Sequence, residues 1–206
     1  MLNLILAESA KRHKHLCPRQ VLGARMGLFA AELLGIDLPR HDKRLLTISE
    51  TDGCTVDGLI AATGCRVGSR TLRILDFGKV AATFADTHTG ETFRIVPRRE
   101  ARQIAADHAT GTSGKWDAML LGYQVMSVAE LFVVQQVTLK MPLSEIISRP
   151  SRKAICEVCG EEIINGREVL NNGVVLCRAC AGDGYYHCSD KPPAELARDV
   201  QDALLA

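Results

Sequence analysis

The sequence predicts an α+β fold with a small C-terminal zinc finger, and three observations predict it. Helical periodicity dominates the opening stretch, short β-branched runs bounded by turn residues follow, and two C-x2-C pairs stand near the end. The core is expected to be a mostly antiparallel sheet with helices at its start and middle. Two hundred and six residues, 47% of them apolar, suffice for one main domain plus a small module.

Residues 2–12 read as a short helix. Residues 18–34 are the best helix in the chain: Val21, Leu22, Met26, Leu28, Phe29, Leu33 and Leu34 recur at helical spacing, Pro18 suits the first helical position, and Gly35 suits the stop. Residues 44–50 form a strand ending at the turn Asp52-Gly53, and residues 56–62 a helix stopped by Gly64. Strands are expected at 71–76, 80–85 and 92–96, the last two joined by a turn around Thr89-Gly90. Helices at 98–109 and 116–126 and a final strand at 131–139 complete the core. Pro142, Ser144, Ser148, Pro150 and Ser151 then accumulate beside Arg149, Arg152 and Lys153, which reads as a linker in which residues 143–147 could form one helical turn. The domains are therefore expected to span residues 1–148 and 149–206.

Four cysteines, Cys156, Cys159, Cys177 and Cys180, form the two pairs, with seventeen residues between them. Each pair delivers two thiolates from one turn, and the stretch between can fold back to close one tetrahedral zinc site. All four positions would be filled by protein, so the zinc would be structural. Residues 161–164 and 167–170 read as a hairpin around Asn165-Gly166. After a turn at Asn171-Asn172-Gly173, a third short strand, 174–176, runs into Cys177. The arrangement resembles a treble clef, with its helix shortened by Gly182 and Gly184 or displaced toward residues 193–205. Two disulfides or four unrelated buried thiols are the competing explanations, and the lack of a recognisable secretory leader leads us to expect a reducing cytoplasm, in which metal explains eight cysteines better. Cys188, with His187, is a spare ligand or a feature of a solvated tail.

Twenty-five basic against twenty-four acidic residues leave a net charge of +1, so the overall balance does not point to nucleic acid or an anionic membrane. Arg149, Arg152, Lys153, Arg167 and Arg178 are diluted by Glu157, Glu161, Glu162 and Glu168, too sparse a patch for phosphate binding. No apolar run approaches the length of a membrane span.

A second constellation lies in the core. His13, His15 and Cys17 alternate, and Pro18 holds Cys17 extended; if that geometry reaches back to His13, all three share a face. Cys17 also precedes a long helix, whose unpaired N–H groups favour thiolate, as a nucleophile or a metal ligand requires. Cys54 and Cys65 sit at element ends, where functional residues are commonly displayed. Asp52, Asp57 and Asp76 could orient a ligand or accept a proton, although such aspartates more often cap helices and turns.

These residues carry a resemblance. His13-x-His15-x-Cys17-Pro18, Gln20-Val21-Leu22-Gly23-x-Arg25-Met26, Glu50-x-Asp52-x-Cys54-x2-Asp57, Thr63-Gly64-Cys65-x2-Gly68 and Asp76-x-Gly78-Lys79-x-Ala81-x-Thr83-Phe84 look like the E-subunit family of formylmethanofuran dehydrogenase, from about residue 10 to residue 140. The family is also similar in sometimes carrying a C-terminal treble-clef finger. The resemblance implies an α+β core that pairs as a homodimer, with His13, His15, Cys17, Cys54 and Cys65 forming a metal or active site and Asp52 and Lys79 beside it as catalytic candidates with Cys17 and Cys54. A larger molybdenum or tungsten dehydrogenase is the implied partner. Departures are Arg19 where glycine is common, Gly53 where arginine is frequent, and Ser127 where proline is frequent.

The leading expectation is a zinc-binding accessory protein of that kind, or a stand-alone relative in one-carbon or metal-cofactor metabolism. The chain lacks an iron–sulfur cysteine run and a dinucleotide-binding glycine motif, so the electron chemistry is expected elsewhere. The alternatives are a metal-dependent enzyme with a second, core metal and an open coordination position, or a thiol redox protein using Cys17 with Cys54 or Cys65.

Overall fold

The structure, a computed structural model, describes residues 1–13, 15–112, 114–147 and 152–187. It divides into two compact units, Met1–Ser148 and Arg149–Ala206.

In the first unit, α1 (Leu2–His13) leads to α2 (Pro18–Leu34), the helix around which the core is built. Pro18 opens α2 and Gly35, at φ 61°, ends it; the Ile36 N–H then reaches back 3.1 Å to the Ala31 carbonyl and satisfies one of the last turn's free acceptors. Strand β1 (Leu45–Ser49) is followed by α3 (Thr55–Thr63), which crosses over to β2 (Leu72–Ile74), parallel to β1. Strands β3 (Ala82–Asp86), β4 (Thr92–Pro97) and β5 (Phe132–Gln136) add antiparallel, giving the order β2-β1-β3-β4-β5. Between β4 and β5 lie α4 (Ala101–His108), α5 (Lys115–Val125) and the single turn α6 (Val128–Leu131).

Every residue of β1 and β3 is buried, because the sheet is covered on both faces. One face carries the main core of Val21, Met26, Leu59, Phe84 and Ile95. The other face packs Leu46, Ile48 and Ala85 against Leu139, Leu143 and Ile146, so α7 (Leu143–Ile147) has a packing role at the end of the unit. A sheet buried on both sides reads as continuous apolar strands, which is why β1 and β3 lack alternation.

Some boundaries differ from those the sequence suggests. β2 stops at Ile74 because Asp76 accepts the Gly78 N–H at 2.9 Å in a turn that puts Gly78 at φ 65°. The 98–109 helix begins at Ala101, since the Arg98 N–H instead bonds the Leu131 carbonyl at 2.9 Å. α6 has no counterpart among the elements expected from sequence; its Ser127 cap and the Glu130 carboxylate bond each other's backbone N–H groups. Among the described residues, no helix is long and apolar enough to cross a membrane.

In the second unit the expected hairpin across Asn165-Gly166 does not form. Glu162–Ile164 (β7) pairs instead with Lys153–Ile155 (β6), and Val169–Asn171 (β8) pairs with Val174–Leu176 (β9). The physical reason is that the first cysteine pair is itself a turn. The Gly160 N–H bonds the Cys156 carbonyl at 2.9 Å and the Cys156 N–H bonds Glu161 at 3.0 Å, while the Asn165 N–H extends the β6/β7 pairing to Arg152. The second turn is as read, with Asn172 and Gly173 at φ 51° and 85°. A single wide helical turn, Ala179–Asp183, is broken within by Gly182 at φ 94°; residues 193–205 lie outside the described residues.

Candidate functional site

The sulfurs of Cys156, Cys159, Cys177 and Cys180 lie within 4.8 Å of one another. Cys159 Sγ and Cys177 Sγ are 3.9 Å apart, far beyond a disulfide and close to the roughly 3.8 Å edge of a tetrahedron with zinc–sulfur bonds of about 2.3 Å. Backbone N–H groups of Cys159 and Cys177 hold Cys156 down to about 6, the latter donating at 3.2 Å, while the neighbouring Cys177 sulfur pushes Cys180 up to about 12. Sulfurs crowded this way repel as thiolates unless a cation sits between them, so the four residues fit zinc. With four protein ligands the ion is structural. His187 is exposed, and Cys188 lies outside the described residues.

In the core unit, two helices converge N-terminus to N-terminus. Cys17 caps α2 in extended geometry, φ −125° and ψ 158°, as Pro18 demands. Its N–H donates to Gln20 Oε1 at 2.7 Å, and the fully buried Gln20 amide donates in turn to the Ser9 carbonyl of α1 at 3.1 Å. Cys54 caps α3. The helices approach closely because their contact residues are glycines: a Cβ at Gly23 would lie 2.1 Å from the Thr55 carbonyl, and one at Gly58 would lie 2.1 Å from the Gln20 carbonyl. That contact brings the Cys17 and Cys54 thiols together. Burial, and then the hydrogen bond and charge of Cys17, push the Cys54 thiol up, with the Arg19 guanidinium acting in the opposite direction.

Cys17 and Cys54 both line a cavity of about 750 Å3. Leu22, Val80 and Val96 supply apolar wall, and Trp116, Met119 and Tyr123 of α5 form another side. α5 is docked onto α2 by Arg25, whose guanidinium donates to the Tyr123 and Met126 carbonyls at 2.8 Å each, at the electronegative end of that helix. Arg19, Arg98, Arg99 and Arg102 also line the cavity, and among the described residues none of those lining it is acidic.

The other residues singled out from sequence are placed differently. Cys65 is buried in the main core, where its Sγ accepts from the Thr47 hydroxyl and donates to the Leu45 carbonyl, each at 3.4 Å. His15 is exposed and outside the cavity lining; His13 closes α1, and its side chain lies outside what the structure describes. Asp52 is exposed in the turn before Cys54. Lys79 is exposed, its N–H bonds the Glu50 carbonyl at 3.1 Å, and its charge helps hold the Glu50 carboxyl below its ordinary value. Asp76 caps its own turn. Among the described residues, no three His, Cys, Asp or Glu ligand atoms gather in the core unit, so a closed core metal site is not assembled from them. The arginines escape sequence reasoning because they come from separate segments; the run Arg98-Arg99-x-x-Arg102 is the available signal.

Comparison with known proteins adds the following. The family described as "FmdE, Molybdenum formylmethanofuran dehydrogenase operon" matches residues 12–132, and "Prokaryotic dksA/traR C4-type zinc finger" matches residues 149–186. A "Probable S-adenosyl-L-methionine-binding protein" of Archaeoglobus fulgidus is 28% identical over 211 residues, covering 89% of this chain and 54% of that protein. The chain thus spans about half the length of that relative. The crystal structure of a tungsten formylmethanofuran dehydrogenase E-subunit (FmdE)-like protein from Syntrophus aciditrophicus superposes with a TM-score of 0.55 at 20% identity, covering 90% of this chain and 95% of that one. This likeness concerns the fold.

Proposed function

The chain belongs to the FmdE family and carries a C4 zinc finger, and on that premise we propose that it is an accessory protein of one-carbon oxidoreduction whose own reactive centre is the Cys17–Cys54 thiol pair. The observation that carries this reading is the meeting of two cysteines at two helix N-termini, both lining one open cavity. Helix N-termini favour the thiolate that attacks a disulfide, against the burial and the Cys17 contact that push the Cys54 thiol up. In the exchange, one thiolate of the pair attacks an incoming disulfide and the other resolves the mixed disulfide. One S–S bond breaks and one forms, and the protons of Cys17 and Cys54 leave on the two thiols released. The zinc finger takes no part in this step.

Two thiols suffice for this chemistry, whereas a resident catalytic zinc takes about three protein ligands. A second reading, a thiophilic ion held by Cys17 and Cys54, is favoured by the position of His13 at the end of α1, four residues before Cys17. S-adenosylmethionine, named for the A. fulgidus relative, carries a sulfonium, an ammonium and a carboxylate group, and the arginines of the cavity suit only the last. Pairing of two copies and association with a larger dehydrogenase belong to the same proposal.

The test is to equilibrate the full chain in glutathione buffers of graded ratio, trap free thiols by alkylation and map them by mass spectrometry. A Cys17–Cys54 disulfide that appears and disappears reversibly supports the proposal. Thiols that stay reduced throughout, together with a metal content falling from about two to about one per chain in Cys17→Ser, contradict it in favour of the thiophilic ion.

A further inference from the structure

Beyond the pull of Arg19 on the Cys54 thiol, the arginines of the cavity have no role in a bare thiol exchange. Arg19, Arg98, Arg99 and Arg102 bring four permanent positive charges to the lining of a cavity that, among the described residues, has no acidic lining residue. Their partners within the protein leave that charge standing. Arg98 gives its Nε–H to the Ala129 carbonyl at 2.6 Å, and Arg102 interacts with the Tyr123 hydroxyl, both neutral groups. Among the described residues, none of the four forms an ion pair with a carboxylate. Guanidinium groups with no carboxylate partner among the described residues, lining a concave space of small-molecule size, are suited to bidentate capture of a carboxylate or phosphoryl group. The lining also has apolar and aromatic residues, with Trp116 and Tyr123 available to the uncharged part of a ligand.

Resting on the dithiol reading of the same cavity, we infer that its substrate is an anionic small-molecule disulfide. A carboxylate or phosphoryl group is held by the arginines, the linking chain lies along Trp116 and Tyr123, and the S–S bond reaches Cys17 and Cys54. The exchange is balanced as written above: the anionic disulfide leaves as two anionic thiols, and the protein gains the Cys17–Cys54 bond. A cationic disulfide would bring like charge against four guanidiniums, and a neutral one would leave them unused.

The experiment has two arms on the full chain. In the first, 3,3′-dithiodipropionate, bis(2-hydroxyethyl) disulfide and cystamine supply an anion, a neutral molecule and a cation of similar size. Oxidation of the Cys17 and Cys54 peptides is followed by alkylation and mass spectrometry, with each rate divided by that of the same disulfide with free cysteine. The anion is expected to exceed the neutral compound by about tenfold or more at low salt, to exceed cystamine further, and to lose its advantage as salt rises. The double variant Arg19→Ala/Arg99→Ala removes two side chains with no hydrogen bond to the protein among the described residues, so the fold should persist, and the charge preference should fall toward one.

The second arm uses glutarate, which cannot exchange sulfur, and reads the fluorescence of Trp116, the chain's single tryptophan. A saturable, salt-sensitive change that the double variant weakens supports the anion subsite. No saturable change overturns the inference, as does exchange that is equally fast for all three disulfides. Glutarate binding with no exchange by any disulfide overturns it through the dithiol premise instead, so the two readings fail in distinguishable ways.

Discussion

Gly58 of α3 lies so close to Gln20 of α2 that a Cβ on the glycine would come within 2.1 Å of the Gln20 carbonyl oxygen and 2.8 Å of the Ala24 nitrogen. Neither neighbour can yield, since both are backbone atoms inside a packed helix. Gly58→Ala should therefore push α3 away from α2 and destabilise the core by about 1–3 kcal/mol. Thermal unfolding would show this as a drop of about 2–4 °C per kcal/mol. Gly53→Ala is the control: the nearest atom is the Thr51 hydroxyl at 3.5 Å, so its midpoint should stay within experimental error.

The glycines also show what the sequence could and could not disclose. Helices α2 and α3 are legible from apolar spacing, Pro18, Gly35 and Gly64, and the finger from the spacing of its four cysteines. Cys17 and Cys54 are each legible as residues at element ends. Their meeting is not, because it depends on tertiary contact between Gly23, Thr55, Gln20 and Gly58, which no local periodicity records. Cys65 carries the same local signature as Cys54 and is a core residue bonded to Thr47 and Leu45. The finger hairpin is misleading in sequence because Asn165-Gly166 has the composition of a tight turn, whereas the pairing is set by the metal-binding turn at Cys156.

Gln20→Leu should separate capping from packing. The substitution keeps the approximate volume but removes the acceptor for the Cys17 N–H and the donor to the Ser9 carbonyl in a fully buried setting. The expected loss is about 1–3 kcal/mol. It should be visible in chemical denaturation as a lower midpoint at unchanged slope.

Acid stability should depend on Glu50, which Arg94 grips at 2.5 and 2.8 Å. The hydrogen bond from Arg94 holds the Glu50 carboxyl below its ordinary 4.5 in the folded state. The pair therefore contributes stability at pH above that ordinary value, and the contribution is lost as the pH falls through the lowered folded-state value. Glu50→Gln should cost about 1.5–3 kcal/mol at neutral pH and progressively less below pH 4.5, as read by denaturant titrations across that range.

Metal removal should act on the finger alone. Zinc needs the thiolates of Cys156, Cys159, Cys177 and Cys180, so acid or chelator should release about one ion per chain, with the affinity falling as the cysteines take up protons. Hydrogen exchange is expected to rise across residues 153–183 while the amides of β1 and β3 keep their protection. Cys156→Ser should reproduce the pattern without chelator.

Dibromobimane, which becomes strongly fluorescent when it bridges two sulfurs, tests the Cys17–Cys54 pair most directly. Applied to the reduced, zinc-loaded full chain and followed by peptide mapping, it should yield a bridged product joining the Cys17 and Cys54 peptides, absent from Cys17→Ser and Cys54→Ser. Products alkylated only singly at these residues, or a bridge from either of them to Cys65, would contradict the account.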